Sequence, residues 1–313
     1  AMADFRDAVF ETVRQIMRRD PEVVTLTNDM NAMILNQIAK EMPERVFNVG
    51  IAEQNIMGGA GGRALGGKNV SVCGILARLI SRAWEQIKLD ICAPNLPVTI
   101  LGVGPGLSYG NDGPSHHGTE DLALARALPN LSIFNPCDSV SRAAIVKQAF
   151  DLGTPSYIRI DRGNARDIHQ ENADLSAGFK VWRTGEDISL VSTGNLIHPV
   201  LEAEGMLQDK GVRAQVVEVY KLKPVDDQAL VSALGTGAPA LVADEHNPHG
   251  GLASLPPDAL SATPSIPALV AATLPDKFLL GSATRAWAHE NYNLSPTSIF
   301  DQAIDLISRS DDQ

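Results

Sequence analysis

Short apolar runs alternate with helix-period segments through the first half of the chain. Six of these runs have the length and β-branched content of buried strands, namely 22–26, 45–49, 70–74, 96–103, 131–136 and 155–160. Helix-like stretches lie between them, including one that follows Asp138, a residue type that favours the N-cap of a helix. This alternation predicts an α/β fold with a mostly parallel sheet between helices.

A polar, charged stretch without sustained periodicity separates this half from a second α/β pattern. It spans 166–186 and is predicted to be a surface linker. Further strand-like runs follow at 188–192, 212–220, 239–245 and 266–272, with helix-like segments near 195–209 and 297–308. The pattern therefore predicts two consecutive α/β domains, 3–165 and 187–313, joined by the linker.

Charge and cysteine content exclude several classes of partner. The chain has 26 Lys and Arg against 37 Asp and Glu, a formal net charge of −11, and no dense basic run, which argues against binding to nucleic acid or to an anionic membrane. No segment approaches the roughly 18 apolar residues of a membrane span, and the first residues do not resemble a signal peptide. Cys73, Cys92 and Cys137 lack CxxC spacing and fit buried free thiols, so a reducing, cytoplasmic location is predicted.

One carboxylate stands alone in the segment NVGIAEQN, 48–55, between an apolar run and a glycine-rich one. Glu53 could be an acid at the start of a helix, which the helix dipole stabilises by roughly 0.3–1 kcal/mol. The four glycines within 58–62 are less ordinary, because each costs about 0.5–1 kcal/mol inside a helix. Such a cluster indicates the close approach of another helix or of a ligand.

A second candidate site lies in the segment 108–138. Asp112-Gly-Pro predicts a tight turn, and His116 and His117 follow it directly. Histidines beside a turn at the carboxyl end of a strand lie where α/β sheets commonly place their ligand chemistry.

The two candidate segments together resemble one enzyme family. PERVFNVGIAEQNIMGGAGGRALGG and NDGPSHHGTEDLALARALPNLSIFNPCDS resemble the pyrimidine-binding domain of the transketolases, which depend on thiamine diphosphate. Downstream, VSTGNLIHPVLEAEGMLQDKGVRAQVVEVYKLKPVDDQAL and LVADEHNPHGGLAS resemble the C-terminal domain of the same family. The resemblance covers nearly the whole chain and implies transfer of a two-carbon ketol unit from a ketose to an aldehyde.

The resemblance implies that Glu53 is the catalytic glutamate that hydrogen-bonds N1′ of the cofactor's aminopyrimidine. A carboxyl group in a desolvated site is suited to sharing a proton with a weak ring base. Ile75 and Arg78 stand where the family has aromatic residues that stack on the pyrimidine, and Asp29 matches an aspartate that lines the pocket. Arg78 either stacks on a planar group or faces solvent, and Asp29 could instead mark the start of a helix.

On the substrate side, the resemblance assigns Asp112 and His116 to contacts with substrate hydroxyl and carbonyl groups, and His116 also to proton transfer. Stabilising the turn is the alternative for His116. His117 replaces a usual glutamine and stays a substrate-side candidate, while Arg159 matches an arginine that binds a terminal phosphate. An ion pair with a surface acid is the alternative for Arg159.

Two further departures affect the expected substrate. Met33 and Gly104 stand at or near positions where the family has polar substrate contacts. Their loss weakens the case for a phosphorylated sugar of five to seven carbons.

The family's diphosphate-binding motifs are absent from this sequence. Those motifs are GDG and a downstream Asn-Asn pair, and neither occurs here. The resemblance is therefore to the second subunit of a split transketolase. It implies an N-terminal transketolase subunit as partner that carries the diphosphate-binding domain and Mg²⁺, an α2β2 assembly, small sugar substrates, and no metal ligand in this chain.

Two alternatives remain open at this stage. The β subunit of a 2-oxo acid dehydrogenase shares the fold and the glutamate, although DGPSHHG fits a transketolase better. A non-catalytic scaffold subunit is the other alternative, and the arginine at position 78 is the feature that favours it.

Overall fold

A computed structural model of the protein describes residues 4–163, 165–234, 237–255, 268–281 and 283–311. Its helices are α1 (Phe5–Arg19), α2 (Met33–Glu41), α3 (Glu53–Leu65), α4 (Leu76–Arg82), α5 (Trp84–Gln86), α6 (Asp121–Arg126), α7 (Ser139–Leu152), α8 (Ile197–Asp209), α9 (Asp227–Leu234), α10 (Arg285–Asn291) and α11 (Pro296–Asp311). Its strands are β1 (Val23–Thr27), β2 (Val46–Asn48), β3 (Asn69–Ile75), β4 (Val98–Val103), β5 (Ser132–Phe134), β6 (Ser156–Ile160), β7 (Phe179–Arg183), β8 (Ile188–Ser192), β9 (Ala214–Val219), β10 (Lys221–Lys223), β11 (Ala240–Asp244) and β12 (Leu269–Thr273).

The first sheet has the strand order β10-β5-β6-β4-β3-β1-β2. Its strands pair in parallel except for β10, which is antiparallel to β5. Because parallel strands all point the same way, the carboxyl ends of β1, β2, β3, β4 and β6 meet at one edge of the sheet. The prediction of a mostly parallel sheet in an α/β fold is confirmed.

The helices cover both faces of this sheet, as the near-continuous apolar strands require. One buried cluster joins the sheet to α3 and α4, and the other joins it to α1, α2 and α7. The N-cap predicted at Asp138 is present at the start of α7, where the carboxylate accepts a hydrogen bond from the Ser141 amide at 2.8 Å. This cap satisfies an amide that the helix itself leaves unpaired.

The second sheet has the order β12-β11-β8-β9-β7 and is parallel except for β7, which runs antiparallel to β9. β7 falls inside the stretch predicted to be a linker, so the linker prediction is wrong for Phe179–Arg183. This edge strand has a single neighbouring strand and carries Lys180 and Arg183, so its sequence lacks the apolar run of a central strand. The part of the predicted 266–272 strand at 266–267 lies outside the described residues.

The two sheets share one body of buried side chains. β10 comes from the second half of the chain yet joins the first sheet, and the apolar cluster around α3 includes Val191, Val217 and Val242 of the second sheet. Within the described residues, no helix is long and apolar enough to cross a membrane. The three cysteines are buried and unpaired, as predicted.

Candidate active site

Most of the predicted site residues lie where strands of the first sheet end. Asp29 follows β1, Glu53 opens the helix after β2, and Ile75 ends β3. Arg78 lies in the first turns of α4, and the loop after β4 carries the histidines. Parallel strand order thus gathers these side chains at a single edge, which is the part of an α/β sheet that most often binds ligands.

Glu53 carries a deeply buried carboxylate. It is the first residue of α3, its side chain is 1% exposed, and neither carboxylate oxygen has a hydrogen bond among the described residues. A carboxylate removed from water without hydrogen bonds is costly, by several kcal/mol on typical scales. The position in a first helical turn agrees with an acid that only stabilises the start of a helix. Such an acid does not need to be buried or to lack hydrogen bonds from the described residues, as Glu53 does.

One cation lies against this carboxylate. Arg82 places Nη1 at 3.2 Å from Oε2 of Glu53, without the geometry of a hydrogen bond, and 60% of the Arg82 side chain is exposed. The arginine thus reaches in from the surface at the end of α4. Sequence analysis did not identify Arg82, because a basic residue at the last turn of a helix is ordinary.

Asp29 forms hydrogen bonds with Asn48, at the end of the strand that precedes Glu53. Its backbone has φ = 62°, its amide donates to Oδ1 of Asn48 at 3.0 Å, and the Asn48 side-chain amide donates back to Oδ1 of Asp29 at 3.2 Å. The next helix begins only at Met33 with Ala32 as its N-cap, so Asp29 does not cap a helix. The alternative of a helix-entry aspartate is therefore wrong, and Asp29 joins the ends of β1 and β2.

The glycines of α3 serve internal packing at one position in particular. A Cβ atom on Gly61 would lie 2.4 Å from the backbone oxygen of Asp90, in the π-helical turn Ile87–Cys92. Gly62, by contrast, has nothing within 4 Å of such an atom. Close approach of another helix, predicted from the glycine cluster, is confirmed for Gly61 and occurs within this chain.

Arg78 is half-buried and influences His116. Burial lowers the pKa of His116, and the nearby Arg78 guanidinium lowers it further. The imidazole is therefore neutral at pH 7 and has a ring nitrogen available to accept a proton. Arg78 is thus not fully exposed to solvent, and stacking of its guanidinium on a planar group stays a prediction.

The loop after β4 is shaped by glycines and one tyrosine. Gly104 has φ = +95°, and a Cβ atom there would lie 2.2 Å from the Tyr109 ring, so only glycine fits. The Tyr109 ring lies 5.6 Å from that of His116, whose Nδ1 is 3.0 Å from Oγ of Ser115. The His116 side chain also forms a hydrogen bond with the backbone of Asp112, which raises its pKa but is outweighed by burial and by Arg78.

His117 and Asp112 have different surroundings from His116. His117 is buried, and its Nε2 lies 3.1 Å from the carbonyl oxygen of Gly110, so this side chain braces the loop. Asp112 is exposed in a short 3₁₀ turn. Asp112 and His116 are therefore more exposed than His117, which contacts the cavities described below.

Arg159 is engaged inside the protein. Its guanidinium binds both oxygens of Asp121, with Nε to Oδ2 at 3.0 Å and Nη2 to Oδ1 at 3.1 Å, and it also donates to the Gly118 carbonyl at 3.1 Å. Both side chains are almost fully buried. The geometry thus corrects the phosphate-binding interpretation in favour of an ion pair, although the acid is buried rather than at the surface.

Arg162 is a second arginine close to the end of strand β6. It lies just beyond the end of β6, is half-buried, and places its guanidinium carbon 4.2 Å from the centre of the Tyr109 ring. It therefore adds a positive charge on the side of the loop where Tyr109 contacts His116. Arg159 lies within β6, whereas Arg162 lies two residues past its end. Position relative to the strand end therefore distinguishes the two arginines.

Two adjoining cavities, of about 340 and 350 Å³, lie on the C-terminal side of the loop and share His117 and Leu279. They do not include Glu53 or Arg78, and they are lined mainly by residues 274–292. The Glu53 carboxylate and the His116 imidazole lie at the strand edge and line neither of these two cavities.

One group of possible metal ligands occurs in the described part of the chain, namely Cys137, Asp138 and His169. Oδ2 of Asp138 already accepts the backbone amides of Ile168 and His169 at 2.8 and 2.7 Å, and the His169 ring nitrogen Nδ1 lies 3.1 Å away. Three donors occupy the oxygen that would face an ion. These residues therefore form a hydrogen-bonded clamp between the linker and α7.

Family models match both halves of the chain. The model described as "Transketolase, pyrimidine binding domain" matches residues 1–167, and that described as "Transketolase, C-terminal domain" matches residues 178–279.

Two curated relatives match most of the chain. The chain is 30% identical over 308 residues to a subunit of the apulose-4-phosphate transketolase of Phocaeicola vulgatus, covering 97% of each protein. It is also 30% identical over 265 residues to "6-deoxy-6-sulfo-D-fructose transketolase subunit SqwH" of a Clostridium species, covering 84% of this chain and 82% of that one.

Among solved structures, "Split gene transketolase, inactive beta4 tetramer" superposes with a TM-score of 0.88 at 32% identity, covering 98% of this chain and 99% of that one. Transketolase of Leishmania mexicana shares the fold at 17% identity and a TM-score of 0.83, with 98% of this chain covering 46% of that one.

Proposed function

We propose that this chain, which belongs to the transketolase family, supplies the pyrimidine side of the active site in a split transketolase. Split subunits of this kind match it over most of their length. The chain is a transferase subunit that works with a partner and depends on thiamine diphosphate. One observation carries the site assignment, namely the buried Glu53 carboxylate, neither oxygen of which has a hydrogen bond within the described part of the chain.

The residues around Glu53 fit the aminopyrimidine half of the cofactor. The orphan carboxylate can hold a protonated ring nitrogen, and Ile75 offers an aliphatic surface to a flat ring. Asp29 keeps the preceding loop in place through Asn48. When bound, thiamine diphosphate supplies the carbon nucleophile and the electron sink for cleavage of a ketose carbon–carbon bond.

On the substrate side, we assign proton transfer to His116 and hydroxyl contacts to Asp112. A neutral imidazole can take a proton from a substrate hydroxyl and return it, and the lowered pKa of His116 keeps it neutral at working pH. Arg78 and Arg162 make this side of the site positive, and Arg162 replaces Arg159 as the anion contact. The two relatives are named for ketoses that carry a phosphate or a sulfo group, so we extend the proposal to a ketose with an anionic terminus.

The partner holds the remaining parts of the site in this proposal. An N-terminal transketolase subunit would bind the diphosphate and Mg²⁺, and the cofactor would lie across the interface of an α2β2 assembly. The names of the relatives, each a subunit of a transketolase, support the existence of a partner subunit. A cytoplasmic location belongs to the same proposal and is supported by three buried, unpaired cysteines.

The test is a binding and activity experiment on the chain with and without its partner. Thiamine diphosphate and Mg²⁺ are expected to raise the melting temperature of the mixed complex but not that of this chain alone, because only the complex contains both halves of the site. Hydroxypyruvate is expected to serve as donor, and pyruvate is not. A complex with no thiamine-dependent stabilisation would point to a scaffold, and turnover of pyruvate would point to a 2-oxo acid enzyme.

A further inference from the structure

An arginine of the C-terminal domain connects the two halves of the protein behind the substrate side of the site. Arg285, the first residue of α10, binds Glu245 through Nε at 2.8 Å and Nη2 at 2.6 Å. The same guanidinium binds Asp161, with Nη1 to Oδ1 and Nη2 to Oδ2 both at 2.9 Å. Asp161 directly follows β6 and Glu245 directly follows β11, so this one side chain joins the ends of strands from both sheets.

Both carboxylates of this network are buried. Asp161 and Glu245 have side chains only 3% and 7% exposed. Burial alone would raise the pKa of Glu245, but Arg285 and His289 outweigh burial and hold that pKa well below its usual range. A buried, fully paired ion network of this kind has one preferred arrangement, since displacing any member leaves a charge unpaired.

Asp161 connects this ion network to the substrate side of the site. Its Oδ1 accepts the backbone amide of Arg162 at 2.8 Å and the hydroxyl of Ser108. Arg162 in turn packs on Tyr109, whose ring lies against His116. Two contacts therefore connect Arg285 to Arg162, and two further contacts, through Tyr109, reach His116.

The loop between β4 and α6 also packs directly on the C-terminal domain. A Cβ atom on Gly106 would lie 2.1 Å from Oε2 of Glu245, and one on Gly110 would lie 2.5 Å from the backbone oxygen of Ala283. Gly106 exchanges two backbone hydrogen bonds with Gly118, at 2.8 and 2.9 Å, which close the loop that carries His116. Only a loop without side chains at these points can lie this close to the network.

We propose that Arg285 is a positioning residue for the substrate side of the active site, fixing the 104–118 loop and Arg162 relative to each other through Asp161 and Glu245. The inference rests on the proposed function for its kinetic consequence, but its structural part holds for the chain alone. In this proposal the C-terminal domain contributes to substrate binding, because an arginine outside the pyrimidine-binding domain sets the geometry of the substrate contacts.

The first experiment measures amide hydrogen exchange in this chain without its partner, comparing Arg285→Gln with Arg126→Gln. Arg126 is a matched control, because it also bridges the two halves, donating to the carbonyls of Gly250 and Gly251 at 2.9 and 3.0 Å. Arg285→Gln is expected to speed exchange at Gly106 and Gly118 by about tenfold or more, with no such change in Arg126→Gln. Equal exchange at these amides in wild type and Arg285→Gln would overturn the proposal.

The second experiment uses the assembled enzyme with hydroxypyruvate as donor. Arg285→Gln is expected to raise KM for the donor by about tenfold. The Kd for thiamine diphosphate should stay within about twofold of wild type, because Glu53 follows β2, whereas Asp161 follows β6. Arg285→Lys should recover part of the loss, whereas Arg126→Gln should lower the melting temperature without changing KM. Parallel losses in both glutamine variants would show a merely structural role and refute the positioning role.

A charge-neutral variant covers the case in which Arg285→Gln does not fold. Gly110→Ala keeps every charge but forces the loop away from the Ala283 carbonyl. It should speed exchange at Gly106 and Gly118 and raise KM in the same direction. Unchanged exchange in Gly110→Ala would contradict the proposed coupling, and a complex without any thiamine-dependent turnover would instead count against the function itself.

Discussion

Glu53 combines first-turn placement with almost complete burial, and only the first of these is explained by the helix dipole. An acid that only caps a helix gains roughly 0.3–1 kcal/mol from the dipole and normally stays in contact with water. Here the carboxylate is buried and has no hydrogen bond to any described residue, with Arg82 as its charged neighbour at 3.2 Å. Such a group is suited to a ligand that supplies the missing donor, which is the property the proposed function uses.

Replacing Arg78 should change the pH profile of the enzyme. Arg78 lowers the pKa of His116, so Arg78→Gln is expected to raise that pKa and move the acidic limb of kcat/KM to higher pH. The profile of the assembled enzyme with hydroxypyruvate measures this shift.

The matched control for this prediction is Arg63→Gln. Arg63 lies on α3 with its guanidinium 4.2 Å from the Phe47 ring, and it is not among the charges that affect His116. Its profile should match wild type. A profile of Arg78→Gln that is unchanged, or shifted to lower pH, would contradict the electrostatic coupling.

Sequence analysis selected Glu53, His116 and Arg78, which the structure places near the ends of strands, but it did not anticipate the ion pair of Arg159. Arg159 and Arg162 lie three residues apart, and both are basic residues in or near a strand. The assignment of these two arginines depends on where β6 ends and on Asp121, which binds Arg159 from 38 residues away. A contact so distant in sequence leaves no local signal, so the pairing could not be predicted.

At the scale of elements, α3 and the turn that packs on it depend on one glycine. The apolar residues of 82–91 recur with the period of a regular α-helix. The chain instead forms the short α5 and then a π-helical turn, Ile87–Cys92. The wider turn brings the Asp90 backbone against Gly61. Periodicity cannot reveal such a local change of helix type, because it depends on the element packed beside it.

Two glycines of α3 give opposite predictions for stability. Gly61→Ala is expected to lower the free energy of unfolding by about 1–3 kcal/mol, because its methyl group would overlap the Asp90 backbone. Gly62→Ala should raise it by up to about 1 kcal/mol, because alanine is the better helix former and the space is open. Urea unfolding of the isolated chain measures both, and equal effects would contradict the packing described here.

The two sheets illustrate what pattern analysis can and cannot predict. Central strands such as β1, β4 and β8 are buried at every position, and the sequence identified them. β7 was missed because its two faces are partly exposed, and β10 was missed as a separate strand because only three residues pair across to the first sheet. Which sheet an edge strand joins is decided by tertiary packing rather than by its own composition.

At the scale of the whole molecule, a buried clamp fixes the linker to both halves. Asp138 at the start of α7 binds His169 of the linker, and Nε2 of His169 lies 3.4 Å from Glu218 of β9. Burial raises the pKa of Glu218. For Asp138, burial is outweighed by hydrogen bonds from His169 and Ser141, which hold its pKa well below the usual range.

Asp138→Asn should therefore reduce stability in a pH-dependent way. A carboxylate whose pKa is lowered by folding stabilises the folded state above its unfolded pKa of about 3.9, and this stabilisation is lost as the pH falls. We expect a loss of about 2–4 kcal/mol at pH 7 and a smaller difference from wild type at acidic pH. Urea unfolding at several pH values measures it, with the exposed Asp301→Asn as control, and a pH-independent difference would contradict the assignment.

The central claim concerns Glu53 in the complete enzyme, so the most direct measurement is turnover of Glu53→Gln in complex with the partner subunit. Turnover should fall by about 100-fold or more, while thiamine diphosphate still binds and the chain remains as stable as wild type, because an uncharged amide relieves a buried carboxylate. The exposed Glu44→Gln should behave as wild type. Turnover of Glu53→Gln near the wild-type value would contradict the account.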